Sequence, residues 1–344
     1  MAARGHAADT PALRVRDLEV ELGRGTRRVV AVDRLSFEVA AGETLAIVGE
    51  SGCGKSMTAL GVLRLLPGAS ARMRATELTL GEIDLLSLSP EELRRLRGDR
   101  IAMIFQEPMT SLNPVLTVER QITETLRVHR QLGRSAARAR ALELLHAVRI
   151  PDPERRLQQY PFELSGGMRQ RVMIAAAVSC NPDVLIADEP TTALDVTVQA
   201  QILEVLLDLK RQRGMALVLI THDLGVVAQT AQRVVVMYAG RKVEEARVRD
   251  LFANPRHPYT RGLMGSMPRL GASQGDGPRG RLPEMAGTVP VLDRPAPGCA
   301  FAPRCALADA RCTREAPPLV AFEDGHTAAC WRADAVIEAA HGVD

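Results

Sequence analysis

Eight consecutive residues carry an evident chemistry: Gly49-Glu50-Ser51-Gly52-Cys53-Gly54-Lys55-Ser56, spaced G-x-x-x-x-G-K-S. The glycines let the backbone curl until its N–H groups point inward, as phosphate oxygens require. A helix opening at the end of the loop adds partial positive charge. Lys55 would reach the terminal phosphates of a nucleotide, and the Ser56 hydroxyl would hold Mg²⁺. The spacing means this only between a strand and a helix. An apolar run at residues 44–49 (TLAIVG) predicts the strand, and residues 56–66 predict the helix. With the Lys-Ser pair in that context, a mere glycine-rich turn is the weaker reading.

A second constellation follows an apolar run at residues 184–188 (VLIAD), which ends in Asp188 and Glu189. A carboxylate at the C-terminal end of a buried parallel strand sits where ligands bind in α/β sheets. Asp188 could hold Mg²⁺ through water, and Glu189 could orient or deprotonate an attacking water. Taken alone, two acids after a strand serve equally well as a helix cap.

These residues need a scaffold, and the apolar pattern outlines one. Further buried strands are predicted over residues 101–106, 216–221 and 233–238, with helices over 136–148, 166–178 and 196–211. Strand–helix alternation implies an α/β fold with a largely parallel sheet. Residues from about 107 to 163 read as a mostly helical insert. Residues 271–280 (GASQGDGPRG) read as a linker, followed by a proline-rich tail without periodicity.

Composition narrows the function classes. The 344 residues are 46% hydrophobic and 25% charged, ordinary for a globular chain. A net charge of +3 gives no case for a nucleic-acid partner. Lys55, Lys210 and Lys242 are the only lysines, so the arginine excess reads as composition bias. No apolar run approaches the ~18 residues of a spanning helix, and the N-terminus has no signal-peptide core. The expectation is a protein kept in the cytoplasm that meets a membrane only through partner subunits.

The next motifs resemble those of ABC ATPases, in the family's order. Leu164-Ser165-Gly166-Gly167-Met168 resembles the signature motif, and Gln106 the Q-loop. Thr192-Ala193-Leu194-Asp195 resembles the D-loop, and His222 the switch histidine. The resemblance covers roughly residues 12–265. It implies an α/β P-loop NTPase fold, the ABC nucleotide-binding domain with a helical insert. ATP and Mg²⁺ would be the ligands, held by Gly49–Ser56 and Asp188. Catalysis would fall to Glu189, His222 and Gln106, and Ser165, Gly166 and Gly167 would contact ATP held by a second subunit. Physically, Ser165-Gly166-Gly167 opens a helix and so forms a second anion site. One departure is Leu22, which stands where the family carries an aromatic residue against adenine.

Residues 105–114 (FQEPMTSLNP), 164–172 and 188–199 resemble the ATPases of oligopeptide and dipeptide importers, as does His257-Pro258-Tyr259-Thr260. Met109-Thr110 and Met168 resemble the first of the two ATPase subunits such importers carry. The resemblance implies a subunit that powers peptide import at the cytoplasmic face of the membrane. Its partners would be a second ATPase subunit in a heterodimer, two transmembrane permease subunits and an extracytoplasmic substrate-binding protein. ATPases of nickel importers are close relatives. A non-transport ABC ATPase of DNA repair or translation, or an exporter ATPase, is the reading set aside. The expected division is residues 1–265 for the ATP-binding domain and 266–344 for a small cysteine-rich C-terminal domain.

Four of the six cysteines crowd that tail: Cys299, Cys305, Cys312 and Cys330. In a reducing compartment such clustering suggests metal more than disulfides. Four thiolates can hold Zn²⁺ or a [4Fe–4S] cluster. The pattern GCAFAPRC…C…ACW resembles the C-terminal domain of peptide-importer ATPases, which implies the [4Fe–4S] cluster. A tail this short can hardly bury enough apolar surface to fold alone without such a staple.

Overall fold

The computed structural model describes residues 10–23, 28–68, 70–107, 111–192, 194–266, 285–322 and 325–336. Met109-Thr110, Ala193 and the linker at 271–280 lie outside the described residues.

Strand β1 (Thr44–Val48) leads through the glycine loop into helix α1 (Lys55–Val62). Strand β2 (Ile101–Ile104) precedes helices α2 (Val118–Arg130), α3 (Arg134–Ala147) and α4 (Gly166–Ala177). Then come β3 (Val184–Asp188), α5 (Val196–Arg213) and β4 (Ala216–Thr221). The chain closes with α6 (Leu224–Thr230), β5 (Arg233–Tyr238), β6 (Arg241–Arg247), α7 (Pro258–Gly265) and short strands β7 (Val320–Ala321) and β8 (Thr327–Ala328). Strands β3, β4 and β5 span the residues expected from their apolar runs. Helix α1 is shorter than expected: Arg64 turns left-handed at φ 51°, and Pro67 follows.

The chain divides into two compact units. The first takes in Glu38–Thr44 and Glu77–Ile220, with the described part of Met1–Val15. In it β2, β3 and β4 form parallel ladders, Ile101 opposite Val184 and Val184 opposite Ala216. Every residue of β3 and β4 is buried, as strands covered on both faces must be. Helices α2 and α3 pack on each other and on α4, so the insert is helical as expected. The Thr117 hydroxyl caps α2, accepting from the Arg120 N–H.

The second unit holds Arg16–Phe37, Leu45–Thr76 and the described part of Thr221–Asp344. Here β5 pairs parallel with β1, and β6 runs antiparallel to β5. The cysteine-bearing tail then extends this sheet: β8 pairs with β6, Glu244 opposite Ala328, and β7 pairs with β8. Tail side chains share the unit's core. Phe301 packs edge-on to Tyr238 at 5.2 Å between ring centroids and lies 5.4 Å from Tyr259, among Val48, Val234 and Leu251. The burial that a separate small domain would lack is therefore supplied by the strands that carry the phosphate loop. His326 Nε2 and Glu244 Oε1, both buried, meet at 2.6 Å and pin β8 to β6.

Candidate active site

In the second unit, β1 delivers Gly49 and the loop closes on α1. Gly54, at φ 102°, caps that helix. A Cβ there would stand 2.2 Å from the Ala31 carbonyl oxygen, so only glycine fits. No side chain caps α1 and its first turn holds no acid. By contrast, Ser89 and Glu92 close a full capping box on the helix Pro90–Leu96. The α1 N-terminus thus keeps its N–H groups and partial positive charge for an incoming anion.

Lys55 is buried and folds back on the loop, its ammonium donating to the carbonyls of Gly49 at 2.7 Å and Glu50 at 3.0 Å. That posture presets the loop's curl with the ammonium at its centre. Ser56 is half-buried at the first turn of α1, while Ser51 and Gly52 are exposed. Cys53 is buried, and burial pushes its thiol up from the ordinary range, so it is no nucleophile here. Leu22, half-buried, ends the strand Leu13–Leu22.

In the first unit, β3 ends on buried Asp188, and Glu189 follows at φ 44°, a left-handed backbone uncommon for a side chain of its size. Gln106 and Thr192 both hold its carboxylate. Gln106 Nε2, just past β2, donates to Glu189 Oε2 at 3.0 Å, and the Thr192 hydroxyl donates to the same oxygen at 2.8 Å. A carboxylate carried on a strained backbone and held by these hydrogen bonds can orient a water or take its proton. His222 is exposed just beyond the end of β4.

The signature residues open α4. The Ser165 hydroxyl accepts from the Met168 N–H, and Ser165 and Gly166 are exposed. A Cβ on Gly167 would stand 2.8 Å from Val198 Cγ1 on α5. Glycine therefore lets α4 lie close to α5, whose own N-terminus is capped by Asp195 accepting from the Val198 N–H.

The family model described as ABC transporter matches residues 32–192, and that of the oligopeptide/dipeptide transporter C-terminal region matches 243–312. A Sinorhizobium fredii protein named "probable peptide ABC transporter ATP-binding protein" is 55% identical over 94% of this chain and 96% of its own length. The chain belongs to the ABC transporter family. The dipeptide transport ATP-binding protein DppD of Bacillus subtilis is 49% identical over 94% of this chain and 95% of its own. A solved ABC cassette, in a dimeric post-hydrolysis state bound to ADP and Pi, superposes with a TM-score of 0.61 at 28% identity, over 69% of this chain and 99% of that one. The chain is an ATP-hydrolysing cassette of this family.

The expected [4Fe–4S] cluster is not supported by the tail's geometry. Among the described residues, no three His, Cys, Asp or Glu side chains stand at metal-holding spacing. Cys299, Cys305, Cys312 and Cys330 do line one cavity of about 20 Å³, room for roughly a water molecule. Burial pushes the thiols of Cys299 and Cys305 up and that of Cys330 to about 12. Buried thiols without a cation stay protonated, whereas ligands must be thiolates. As a donor set, four thiols around one cavity suit a soft metal.

Sequence reasoning missed the tie of three residues to the phosphate loop, two of them within the His257-Pro258-Tyr259-Thr260 motif. Arg304 grips the Glu50 carboxylate, the Tyr259 hydroxyl accepts from the Glu50 N–H at 2.7 Å, and His257 caps the helix that carries Tyr259. Tyr259 was visible only as part of the HPYT motif. For Arg304, 254 residues from Glu50 in the chain, no local signal exists.

Proposed function

We propose that this chain powers peptide import as one ATPase subunit of an ABC transporter. One observation carries the reading: the segment matching the peptide-transporter C-terminal region opens with β6, which pairs with β5 in the sheet holding the phosphate loop. The names of the relatives, peptide and dipeptide transport ATP-binding proteins, point the same way.

In this reading Gly49–Ser56 cradle the ATP phosphates, Lys55 neutralises their charge, and Ser56 and Asp188 hold Mg²⁺. Glu189 aligns the attacking water, Gln106 holds Glu189 in place, and His222 bonds the terminal phosphate. Ser165, Gly166 and Gly167 complete the site of a second ATPase subunit, so hydrolysis needs a dimer, here a heterodimer. The cassette sits at the cytoplasmic face on two permease subunits fed by a binding protein. Among the described residues no helix is long and apolar enough to cross a membrane, which leaves that task to partners. Residues 1–265 act as the ATP-binding domain, and residues 266–344 as its C-terminal extension. We further propose that Cys299, Cys305, Cys312 and Cys330, which line one cavity, would hold an iron–sulfur cluster, for which four cysteines are a suitable donor set.

The test is reconstitution with the permeases and binding protein in vesicles. ATP-dependent uptake of di- or oligopeptides is expected. ATPase stimulation by nickel or another solute and not by peptides would replace the substrate assignment, and absence of ATP hydrolysis in the full assembly would end it.

A further inference from the structure

Glu50 is held at three points, and two of them come from the C-terminal region. Its carbonyl accepts from Lys55 at 3.0 Å, inside the loop. Its N–H donates to the Tyr259 hydroxyl. Its carboxylate takes a two-pronged grip from Arg304, Nη1 to Oε2 at 2.9 Å and Nη2 to Oε1 at 3.1 Å. The Arg304 side chain is only 7% exposed. Its remaining donors are used as well, on the carbonyls of Met285 and Ala286 and the Tyr238 hydroxyl. A planar fork committed this fully fixes the position of the carboxylate it holds.

Both grips start at the wall of the cysteine cavity. Arg304 ends a tight turn between Cys299 and Cys305, closed by hydrogen bonds from the Ala302 N–H to the Cys299 carbonyl and from the Cys305 N–H to the Ala302 carbonyl. His257 lines the cavity and its Nδ1 accepts from the Tyr259 N–H. A change in the spacing of the thiols therefore moves the turn that carries Arg304.

We propose that Arg304 is a positioning residue for the phosphate loop, and that through it the state of the cysteine cavity reaches the nucleotide site. This rests on the reading of Gly49–Ser56 as that site. A carboxylate on the loop would repel phosphate if left to itself. Arg304 neutralises Glu50 and draws it toward the C-terminal region, leaving the Lys55 charge for the nucleotide. Coupling of this kind is reciprocal, so bound nucleotide alters the cavity in turn.

The test uses the full chain purified without oxygen, a fluorescent ADP analogue, and the emission of Trp331. Trp331 is the chain's single tryptophan and lines the cavity. Arg304→Gln should weaken ADP binding about five-fold or more. Adding Glu50→Gln should restore most of the loss, because the stranded carboxylate is then gone. ADP should also change acrylamide quenching of Trp331 in the wild type and not in Arg304→Gln. Unchanged affinity in Arg304→Gln, a loss that Glu50→Gln does not relieve, or wild-type quenching indifferent to ADP each overturns the proposal. If a red-shifted Trp331 emission shows the tail detached, Arg304→Lys carries the test: it keeps the charge and loses the fork, and unaltered ADP affinity there is equally fatal. A wild type that binds no ADP ends the nucleotide-site reading first, whereas binding lost only in Lys55→Ala leaves that reading standing while this one fails.

Discussion

Gln106 Nε2 donates to Glu189 Oε2 at 3.0 Å, across 83 residues of chain. The bond joins the end of β2 to the residue after β3, on neighbouring parallel strands. The Thr192 hydroxyl reaches the same oxygen. A carboxylate so placed can serve as a general base.

Glu189→Gln keeps the shape and removes the basicity. Turnover should fall about 10²- to 10⁴-fold, the usual worth of a general base, while ATP affinity is retained. With ATP present the variant should accumulate as a closed dimer, visible by light scattering. Phosphate release near the wild-type rate in the assembled transporter would remove Glu189 from catalysis.

Gln106→Ala should cost less. It deletes one donor to the Glu189 carboxylate and leaves Thr192 in place. A lost hydrogen bond to a charged group is worth about 1.5–3 kcal/mol, so kcat should drop by roughly ten- to a hundred-fold with KM for ATP little changed. A drop matching that of Glu189→Gln would mean that Gln106 touches the reacting groups itself. The double variant Gln106→Ala/Thr192→Val should be slower than either single one.

Lys55→Ala acts on binding instead. The buried ammonium shapes the loop through Gly49 and Glu50 and supplies its charge. Nucleotide titration should show affinity lost by more than about ten-fold. Unaltered affinity and hydrolysis would place the phosphate site elsewhere.

How much of this was legible depended on distance in the chain. Strands β3, β4 and β5 are uninterrupted apolar runs because both faces are covered, and such runs are visible in any sequence. The glycine loop, the acid pair and the signature residues are likewise local patterns. The left-handed turn at Glu189 is not, since it is imposed by the structure around it. The tail strands β7 and β8 are two residues each, too short for a period, and they form because β6 offers them an edge. The Arg304–Glu50 pair has no sequence signature, and the four cysteines showed which residues gather but not how they are spaced.

Gly167 sets a steric limit on the signature helix. A Cβ there would meet Val198 Cγ1 at 2.8 Å, closer than side chains pack. Gly167→Ala should push the start of α4 from α5 and cost about 1–3 kcal/mol. The melting temperature should fall, and ATPase in the dimer should fall further, because Ser165 and Gly166 move with the helix. Val198→Ala removes the clashing methyl and should restore both in the double variant. Activity that stays low once stability is regained would show that Gly167 is needed at the partner's nucleotide and not only at Val198.

The four tail cysteines give the last prediction. Together they line one cavity, and burial opposes ionisation of the Cys299, Cys305 and Cys330 thiols. A bound cationic centre would reverse that balance by pairing with thiolates, which links metal loading to the tail's order. The tail already shares its core with Tyr238 and Tyr259, so metal loss should loosen it without unfolding β5 and β6. Protein purified without oxygen should contain about four irons and four sulfides per chain, the composition of the cluster. Cys305→Ser should lose the brown absorbance and shift Trp331 emission, while the loop at Lys55 still binds nucleotide but more weakly, because the turn holding Arg304 moves. Cys53 is buried in the phosphate loop and Cys180 is buried in the other unit, so replacing either by serine should leave the metal content unchanged. One zinc per chain would make the tail a zinc module. No metal under anaerobic preparation would leave four thiols that only pack, and would sink both metal readings.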